Sequence, residues 1–207
     1  MVTDNPQAIR ETANKRKLVD AGKALFYKYG YRKVTIEELC KLAGISKMTF
    51  YRFFKNKIDL VKFIMKEIAD EGWERYLEIM CRDISFQEKI AATIQMKYEA
   101  ADHYSDDFLR DIYGDKDTGL MFLLQKLSDE MMVQVLKDYK VAQDQGYIRK
   151  DLNLDFISYF LNQIANMFND PVLIGLYNGN IREIMKELTN FFFYGILVPE
   201  GNQHNEK

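Results

Sequence analysis

The stretch from Thr35 to Leu60, TIEELCKLAGISKMTFYRFFKNKIDL, contains start and stop signals for two short helices joined by a tight turn. Thr35 can cap the first helix, and Glu38, three residues later, can reach back to it in a capping box. Gly44 ends that helix, because glycine adopts the left-handed conformation of a helix C-terminus without steric cost. Ser46 caps the second helix. The stretch therefore predicts a helix-turn-helix, whose second helix can enter the major groove of DNA.

A helical pattern from about Ala8 to Tyr29 precedes this motif, and Gly30 ends it. Apolar residues recur along one stripe of that helix, as they do in the two helices that follow. Three helices in about 57 residues predict a small bundle. Its expected core comprises Leu18, Leu25, Phe26, Ile36, Leu39, Ala43, Ile45, Phe50 and Phe54.

The rest of the chain also has the periodicity of helices. A fourth helix, capped by Asn56, continues to about Met80 and is long enough to extend from the bundle into a second domain. Further helices are expected over about 85–101, 106–113, 120–145, 153–168 and 181–197, and no alternating strand pattern occurs. The sequence thus predicts an all-α fold with two domains, a helix-turn-helix domain at residues 1–57 and a helical domain at residues 58–207.

Charge is distributed unevenly between these two parts. The net charge of the chain is −2, but residues 1–57 carry 13 Lys and Arg against 5 Asp and Glu. The remaining 150 residues carry 16 basic and 26 acidic residues. A basic N-terminal part and an acidic body predict that a polyanion such as DNA binds at the N-terminal part alone.

Other classes of protein find little support in the sequence. No apolar run is long enough for a transmembrane helix, and the N-terminus lacks the apolar region of a secretory signal. Cys40 and Cys81 have no metal-ligand spacing and suit the reducing cytoplasm. His103 near Asp106 and Asp107 fits a solvated acidic face better than a metal site. No nucleophile–base set or nucleotide loop is present, so we expect no enzyme, no cofactor and no metal.

The residues of the quoted stretch also form a recognisable pattern. Thr35-x-x-x-Leu39-Cys40-x-x-Ala43-Gly44-Ile45-Ser46-Lys47-x-Thr49-Phe50-Tyr51-x-Phe53-Phe54-x-x-Lys57-x-x-Leu60 resembles the N-terminal signature of the tetracycline-repressor-like (TetR) regulators, as does the preceding Phe26-x-x-x-Gly30-Tyr31-x-x-x-Thr35. The resemblance covers about residues 15–62. It implies that the C-terminal domain dimerises and binds a small effector.

The resemblance also implies which side chains contact DNA. It places Lys47, Met48, Thr49 and Arg52 nearest the groove. Lys47 and Arg52 can donate to guanine O6 and N7, and Met48 or Thr49 can pack on a thymine methyl. The expected phosphate contacts are Thr35, Ser46, Tyr51 and Lys57, to which Arg32 and Lys33 can add. Thr35 and Ser46 cap helices in either case, and Tyr51 can instead be a residue at the edge of the core.

Two helices near the C-terminus are apolar on more than one face. Such helices are buried on more than one side, so one face can meet its own domain and the other a second copy of the chain. The expected homodimer interface, a two-fold four-helix arrangement, comprises Phe156, Phe160, Ile164, Leu188, Phe191 and Phe192. The alternative is the core of a monomer.

An effector site is expected among the helices spanning residues 60–175. Ligand pockets are mostly apolar with few polar groups, so the candidates are aromatic residues: Trp73, Tyr76, Tyr98, Phe108, Tyr113 and Phe122. Each of these side chains, taken alone, is better explained as plain core. The predicted ligand is a small apolar or amphipathic molecule.

Together these patterns predict a cytoplasmic, homodimeric transcriptional regulator that binds double-stranded DNA. The favoured mechanism is a repressor that a small effector releases from a pseudo-palindromic operator. The alternative is a DNA-binding architectural or cell-cycle protein of the same fold that responds to no ligand.

Overall fold

The computed structural model describes residues 6–115, 118–168 and 170–197. Within them the chain is helical, and the only extended pairing is one isolated bridge between Ile148 and Leu197. The helices are α1 (Pro6–Tyr29), α2 (Ile36–Ala43), α3 (Lys47–Phe53), α4 (Lys57–Met80), α5 (Phe86–His103), α6 (Asp106–Tyr113), α7 (Leu120–Asp144), α8 (Leu154–Met167), α9 (Pro171–Leu176) and α10 (Ile181–Ile196). The predicted all-α fold is confirmed. None of the described helices is both long and apolar enough to cross a membrane.

The chain divides into two compact units. The N-terminal unit comprises the residues up to Ile68 together with Tyr104–Leu120, and the C-terminal unit comprises Ala69–His103 and the residues from Met121 onward. Helix α4 contributes residues to both units, and α6 belongs to the N-terminal one although it lies far along the chain. A functional boundary between residues 57 and 58 remains a prediction.

The core of the N-terminal unit is close to the expected one. Leu18, Phe26, Leu39, Ala43, Phe50 and Phe54 are all buried. Leu25, Ile36 and Ile45, the last of which lies in the turn between α2 and α3, are only half-buried. Two residues of the loop between α1 and α2, Tyr31 and Val34, are buried although they had not been predicted as core.

Helix α6 packs on the end of α1 and on the loop that follows it. The N–H group of Ser105 donates to the carbonyl oxygen of Tyr27 at 2.8 Å, and the Tyr31 hydroxyl donates to Asp115 Oδ1 at 3.2 Å. Gly30 has a φ of +78°, and a Cβ there would lie 2.6 Å from Asp111 Oδ2. Glycine is therefore required both by the backbone conformation and by the close approach of α6.

The C-terminal unit has its own hydrophobic core. Its buried members come from α5, α7, α8, α10 and the turn after α7: Phe86, Ile90, Tyr139, Ala142, Ile148, Ile157, Phe192, Phe193 and Ile196. Helix α9 had not been predicted. It has six residues, begins with Asp170 as N-cap and Pro171 at its first turn, and is too short to show helical periodicity.

Candidate nucleic-acid interface

Both ends of helix α2 are fixed by hydrogen bonds. Thr35 Oγ1 accepts from the Glu38 N–H at 3.2 Å, and the Glu38 carboxylate accepts from the Thr35 N–H at 2.8 Å. The bond from the Thr35 N–H, together with one that the Thr35 hydroxyl donates to the same carboxylate, lowers the pKa of the Glu38 carboxyl. Gly44 ends the helix with a φ of 64° and donates to the carbonyl oxygens of Cys40 and Lys41. The predicted capping box and glycine stop are confirmed.

Helix α3 is anchored through one aromatic side chain. Phe50 has no exposed surface, and its ring centroid lies 6.1 Å from that of Phe54. At the start of the helix, Ser46 Oγ accepts from the Thr49 N–H at 3.1 Å, which confirms the predicted cap. Since α3 has a single buried residue, the rest of its surface remains available for contact.

The available surface of α3 consists of the residues predicted to face DNA. Lys47, Met48, Tyr51 and Arg52 are exposed, and Met48 reaches 85% of its maximal accessible area. Thr49 is half-buried. An apolar side chain exposed to this degree has no folding role, but it can pack on a thymine methyl group.

The cations of this surface are already paired with carboxylates. Lys47 Nζ forms an ion pair with Glu37, and Arg52 Nη1 lies 3.5 Å from Glu11 Oε1. The hydrogen bond to Glu37 raises the pKa of Lys47. These pairs are exposed and therefore weak, so a phosphate or guanine edge can replace the carboxylates when DNA binds.

Lys57 lies at the start of α4 and points toward the loop before α2. Its Nζ donates to the carbonyl oxygens of Val34 at 2.7 Å and Arg32 at 3.1 Å. Burial lowers the pKa of its ammonium group. Two of the three N–H groups of its ammonium are thus bonded within the protein. The phosphate contact predicted for Lys57 would use the third N–H group, and it remains a prediction.

The two additional basic residues of the expected phosphate clamp contact α6. Lys33 Nζ donates to Asp107 Oδ2 at 2.6 Å, and Arg32 Nε lies 3.7 Å from Asp111 Oδ1. The hydrogen bond from Lys33 lowers the pKa of Asp107. These α6 carboxylates compete with DNA phosphates for the same two side chains.

The residues predicted for the effector site do not form one cluster. Trp73 stacks on Tyr76 at 5.2 Å, and the Tyr76 hydroxyl donates to Asp138 Oδ2 at 2.8 Å in the C-terminal unit. In the same unit the Tyr98 hydroxyl donates to Asn190 Oδ1. Phe122 also belongs to this unit, and its side chain is 78% exposed. The other two predicted residues, Phe108 and Tyr113, belong to the N-terminal unit, where Phe108 packs on Tyr27 and Tyr104.

The residues predicted for the dimer interface differ in exposure. Phe156 and Phe191 are 56% and 71% exposed, whereas Phe160, Ile164 and Leu188 are half-buried. Phe192 is buried against Tyr139, Phe160 and Phe193 in its own protomer, so it supports the surface rather than forming it. Sequence reasoning missed the exposed Tyr159 and Tyr194, because a single tyrosine within a helix pattern indicates neither core nor surface.

Residues 18–64 match the model of the bacterial regulatory proteins of the tetR family. This segment is a TetR-family helix-turn-helix domain. The matched segment contains α2, α3 and the start of α4, and the DNA contacts of the surface described above remain a prediction. The family comprises regulators rather than enzymes.

Relatives and solved structures of this family resemble the chain over most of its length. The transcriptional repressor KstR2 of Mycolicibacterium smegmatis is 24% identical over 169 residues, which cover 78% of this chain and 79% of that protein. The structure of FadR from Bacillus subtilis in complex with stearoyl-CoA has a TM-score of 0.64 at 17% identity and covers 88% of this chain and 99% of its own. A transcriptional regulator from Saccharomonospora viridis in complex with choline has a TM-score of 0.64 at 15% identity, with 89% and 97% covered. At these identities the two structures establish the shared fold.

Proposed function

We propose that this TetR-family regulator is a cytoplasmic homodimeric repressor that a small-molecule effector releases from a pseudo-palindromic operator. The observation that carries the proposal is the surface of α3, where Lys47, Met48, Tyr51 and Arg52 are exposed around the single buried anchor Phe50. In a helix-turn-helix such a helix reads base edges in the major groove, and flanking side chains hold the phosphates.

The exposed aromatic residues of α8 and α10 support the dimer. Phe156 and Tyr159 on α8 and Phe191 and Tyr194 on α10 are each more than half exposed. Four large apolar side chains on two helices of one unit are more than scattered surface residues, and burying them needs a second chain. A two-fold axis through these helices would give a four-helix interface and two α3 helices for two operator half-sites.

Ligand release is supported by the relatives. KstR2 is named a repressor, and the FadR and Saccharomonospora structures contain stearoyl-CoA and choline. Helix α4 is the proposed transmitter, because it contributes residues to both compact units. An effector that binds one dimer geometry better than another lowers the DNA affinity in proportion to that preference.

Three experiments on the purified protein test this function. Genome-wide footprinting should recover a short inverted repeat, and analytical ultracentrifugation should show a dimer at micromolar concentration. Addition of the effector should then weaken binding to the recovered site. Binding without sequence preference, or binding that no metabolite of the regulated genes changes, would favour the ligand-independent architectural protein. A monomer that still binds the whole inverted repeat as a single unit would contradict the two-fold arrangement.

A further inference from the structure

A cleft of about 350 Å³ opens in the C-terminal unit where the end of α4, the start of α5 and the end of α7 meet the turn after α7. Ligand sites in proteins measure roughly 300–1,000 Å³ and combine an apolar lining with a few convergent polar groups. Apolar side chains from each of these elements line the cleft, including Met80, Phe86, Ala142 and Tyr147. The rings of Phe86 and Tyr147 are stacked at 26°, with 5.8 Å between their centroids. The cleft can therefore hold the apolar body of a small molecule.

Among the described residues, the lining of this cleft contains one anion, Asp138 on α7. Asp138 Oδ2 accepts from the Tyr76 hydroxyl at 2.8 Å, and Asp138 Oδ1 accepts from Gln134 Nε2 at 2.9 Å. Both donors are neutral, so they fix the carboxylate in place without compensating its charge. A carboxylate has about four lone-pair sites, so each oxygen can accept a further hydrogen bond. Asp138 is thus held ready to accept from an ammonium group.

The described part of the lining also contains one cation, Lys89 on α5. Its Nζ donates to the carbonyl oxygen of Met80 at 2.8 Å, which leaves further N–H groups of the ammonium for other acceptors. Within the described part of the chain, neither Lys89 nor Asp138 forms an ion pair, with each other or with a third residue. Other charges of this unit are paired, such as Arg75 with Glu99. The cleft therefore presents two opposite charges that are held separately.

Both charges lie away from the open surface. Lys89 and Asp138 are each half-buried. A charge in such a position is less favourable without an ionic partner than with one, because part of its hydration is lost. A ligand that carries an ammonium group and an acidic group can compensate both side chains at once.

We propose that this cleft binds a small zwitterion, an amino acid or a related molecule, whose ammonium group contacts Asp138 and whose carboxylate contacts Lys89. The inference rests on the proposed ligand-responsive function and specifies the ligand class. The apolar body of the ligand lies against Phe86 and Tyr147. A ligand with one charge leaves the opposite side chain of the cleft without a partner, so the site selects zwitterions against simple amines and carboxylates.

The test compares two zwitterions with matched molecules that lack one charge. Leucine holds its two charges close together, and its matched ions are isocaproate and isopentylamine. ε-Aminocaproate holds them far apart, and its matched ions are caproate and pentylamine. Isothermal titration calorimetry on the purified protein without DNA should show that at least one zwitterion binds about tenfold or more tightly than both of its matched ions. If neither zwitterion shows this preference, the proposal is overturned.

Trp73 provides a second readout of the same binding. It is the one tryptophan of the chain, and its ring stacks at 5.2 Å on that of Tyr76, whose hydroxyl donates to Asp138. Binding of an ammonium group at Asp138 should therefore change the tryptophan fluorescence, with the dissociation constant that calorimetry gives.

Variants assign the two contacts. Asp138→Asn and Lys89→Gln each remove one charge and keep a hydrogen-bonding group. Asp138→Asn should weaken the zwitterion about tenfold and leave the matched carboxylate unaffected, whereas Lys89→Gln should weaken the zwitterion and leave the matched amine unaffected. Asp129→Asn and Lys137→Gln are the matched controls, because both residues are exposed on α7. A zwitterion preference that survives in both site variants would also overturn the proposal.

Titrations with and without the recovered operator separate this site from the proposed function. Zwitterion binding with the expected variant pattern that leaves DNA affinity unchanged would contradict the release mechanism alone. DNA release by a ligand of another class, together with the absence of zwitterion binding, would contradict this site alone.

Discussion

The ammonium group of Lys57 lies 2.7 Å from the carbonyl oxygen of Val34, so the first residue of α4 holds the loop that enters the helix-turn-helix. This contact fixes the position of α2 relative to α4 through a charged donor. Its energetic consequences differ from those of a surface lysine that meets only phosphate, and they can be measured.

Replacing Lys57 by methionine should therefore affect folding as well as DNA binding. The carbonyl oxygens of Val34 and Arg32 would lose their donor, and we expect the free energy of unfolding to fall by about 1–2 kcal/mol. Urea denaturation measures this loss. DNA affinity should fall by the same factor for specific and random duplexes. Unchanged stability would show that Lys57 contacts phosphate alone. Lys66→Met is the control, because Lys66 is an exposed lysine of the same helix α4.

Arg52→Ala and Lys47→Ala should change sequence preference. A base contact contributes about 1–3 kcal/mol of discrimination, so each variant should lose about tenfold to a hundredfold on the specific site and less on random DNA. Fluorescence anisotropy with both duplexes at several salt concentrations measures the two losses of affinity. Equal losses on the two duplexes would mean that both side chains contact only the backbone.

Phe50 and Met48 provide a test of which side of α3 supports the fold. Phe50→Ala should lower the free energy of unfolding by about 3–5 kcal/mol, because it empties a fully buried ring site. Met48→Ala should leave stability unchanged and weaken operator binding. Thermal and urea denaturation compare the two variants, and a large stability loss in Met48→Ala would contradict the orientation of the helix.

The capping box predicts a pH dependence. Hydrogen bonds from Thr35 lower the pKa of Glu38, so the folded state binds this proton less readily than the unfolded state. The resulting stabilisation is fully present above the ordinary glutamate pKa and is lost as pH falls through the lower value in the folded protein. Glu38→Gln should therefore be less stable than the wild type at pH 7, and the difference should shrink below about pH 4. A difference that stayed constant down to pH 3 would contradict the assignment.

Charge placed on the exposed aromatic surface should separate the proposed dimer. Phe191→Asp combined with Phe156→Asp should give a monomer in analytical ultracentrifugation and weaken operator binding, because each half-site would then bind alone. Leu42→Asp, a similarly exposed position on α2, should leave the oligomeric state unchanged. A double variant that remained dimeric would show that the dimer interface lies elsewhere on the protein.

The features that were predictable from sequence are local ones. Thr35 and Glu38, or Ser46 and Thr49, are three residues apart, so their side chains and backbone meet once a helix forms. The family pattern added which side chains of α3 face outward. In contrast, Tyr31 meets Asp115 across 84 positions of sequence, and no periodicity encodes that contact.

The pairing of Tyr31 with Asp115 has a consequence for the order in which the protein forms during synthesis. The N-terminal unit is built from two separate segments, and residues 69–103 lie between them. A ribosome adding about 5–20 residues per second needs about 2–7 seconds to pass that interval. During this time the buried tyrosine and the loop around it lack their α6 partners. The N-terminal unit is therefore completed only after residues 69–103 of the C-terminal unit have been translated, and a nascent chain stalled earlier carries an incomplete N-terminal unit.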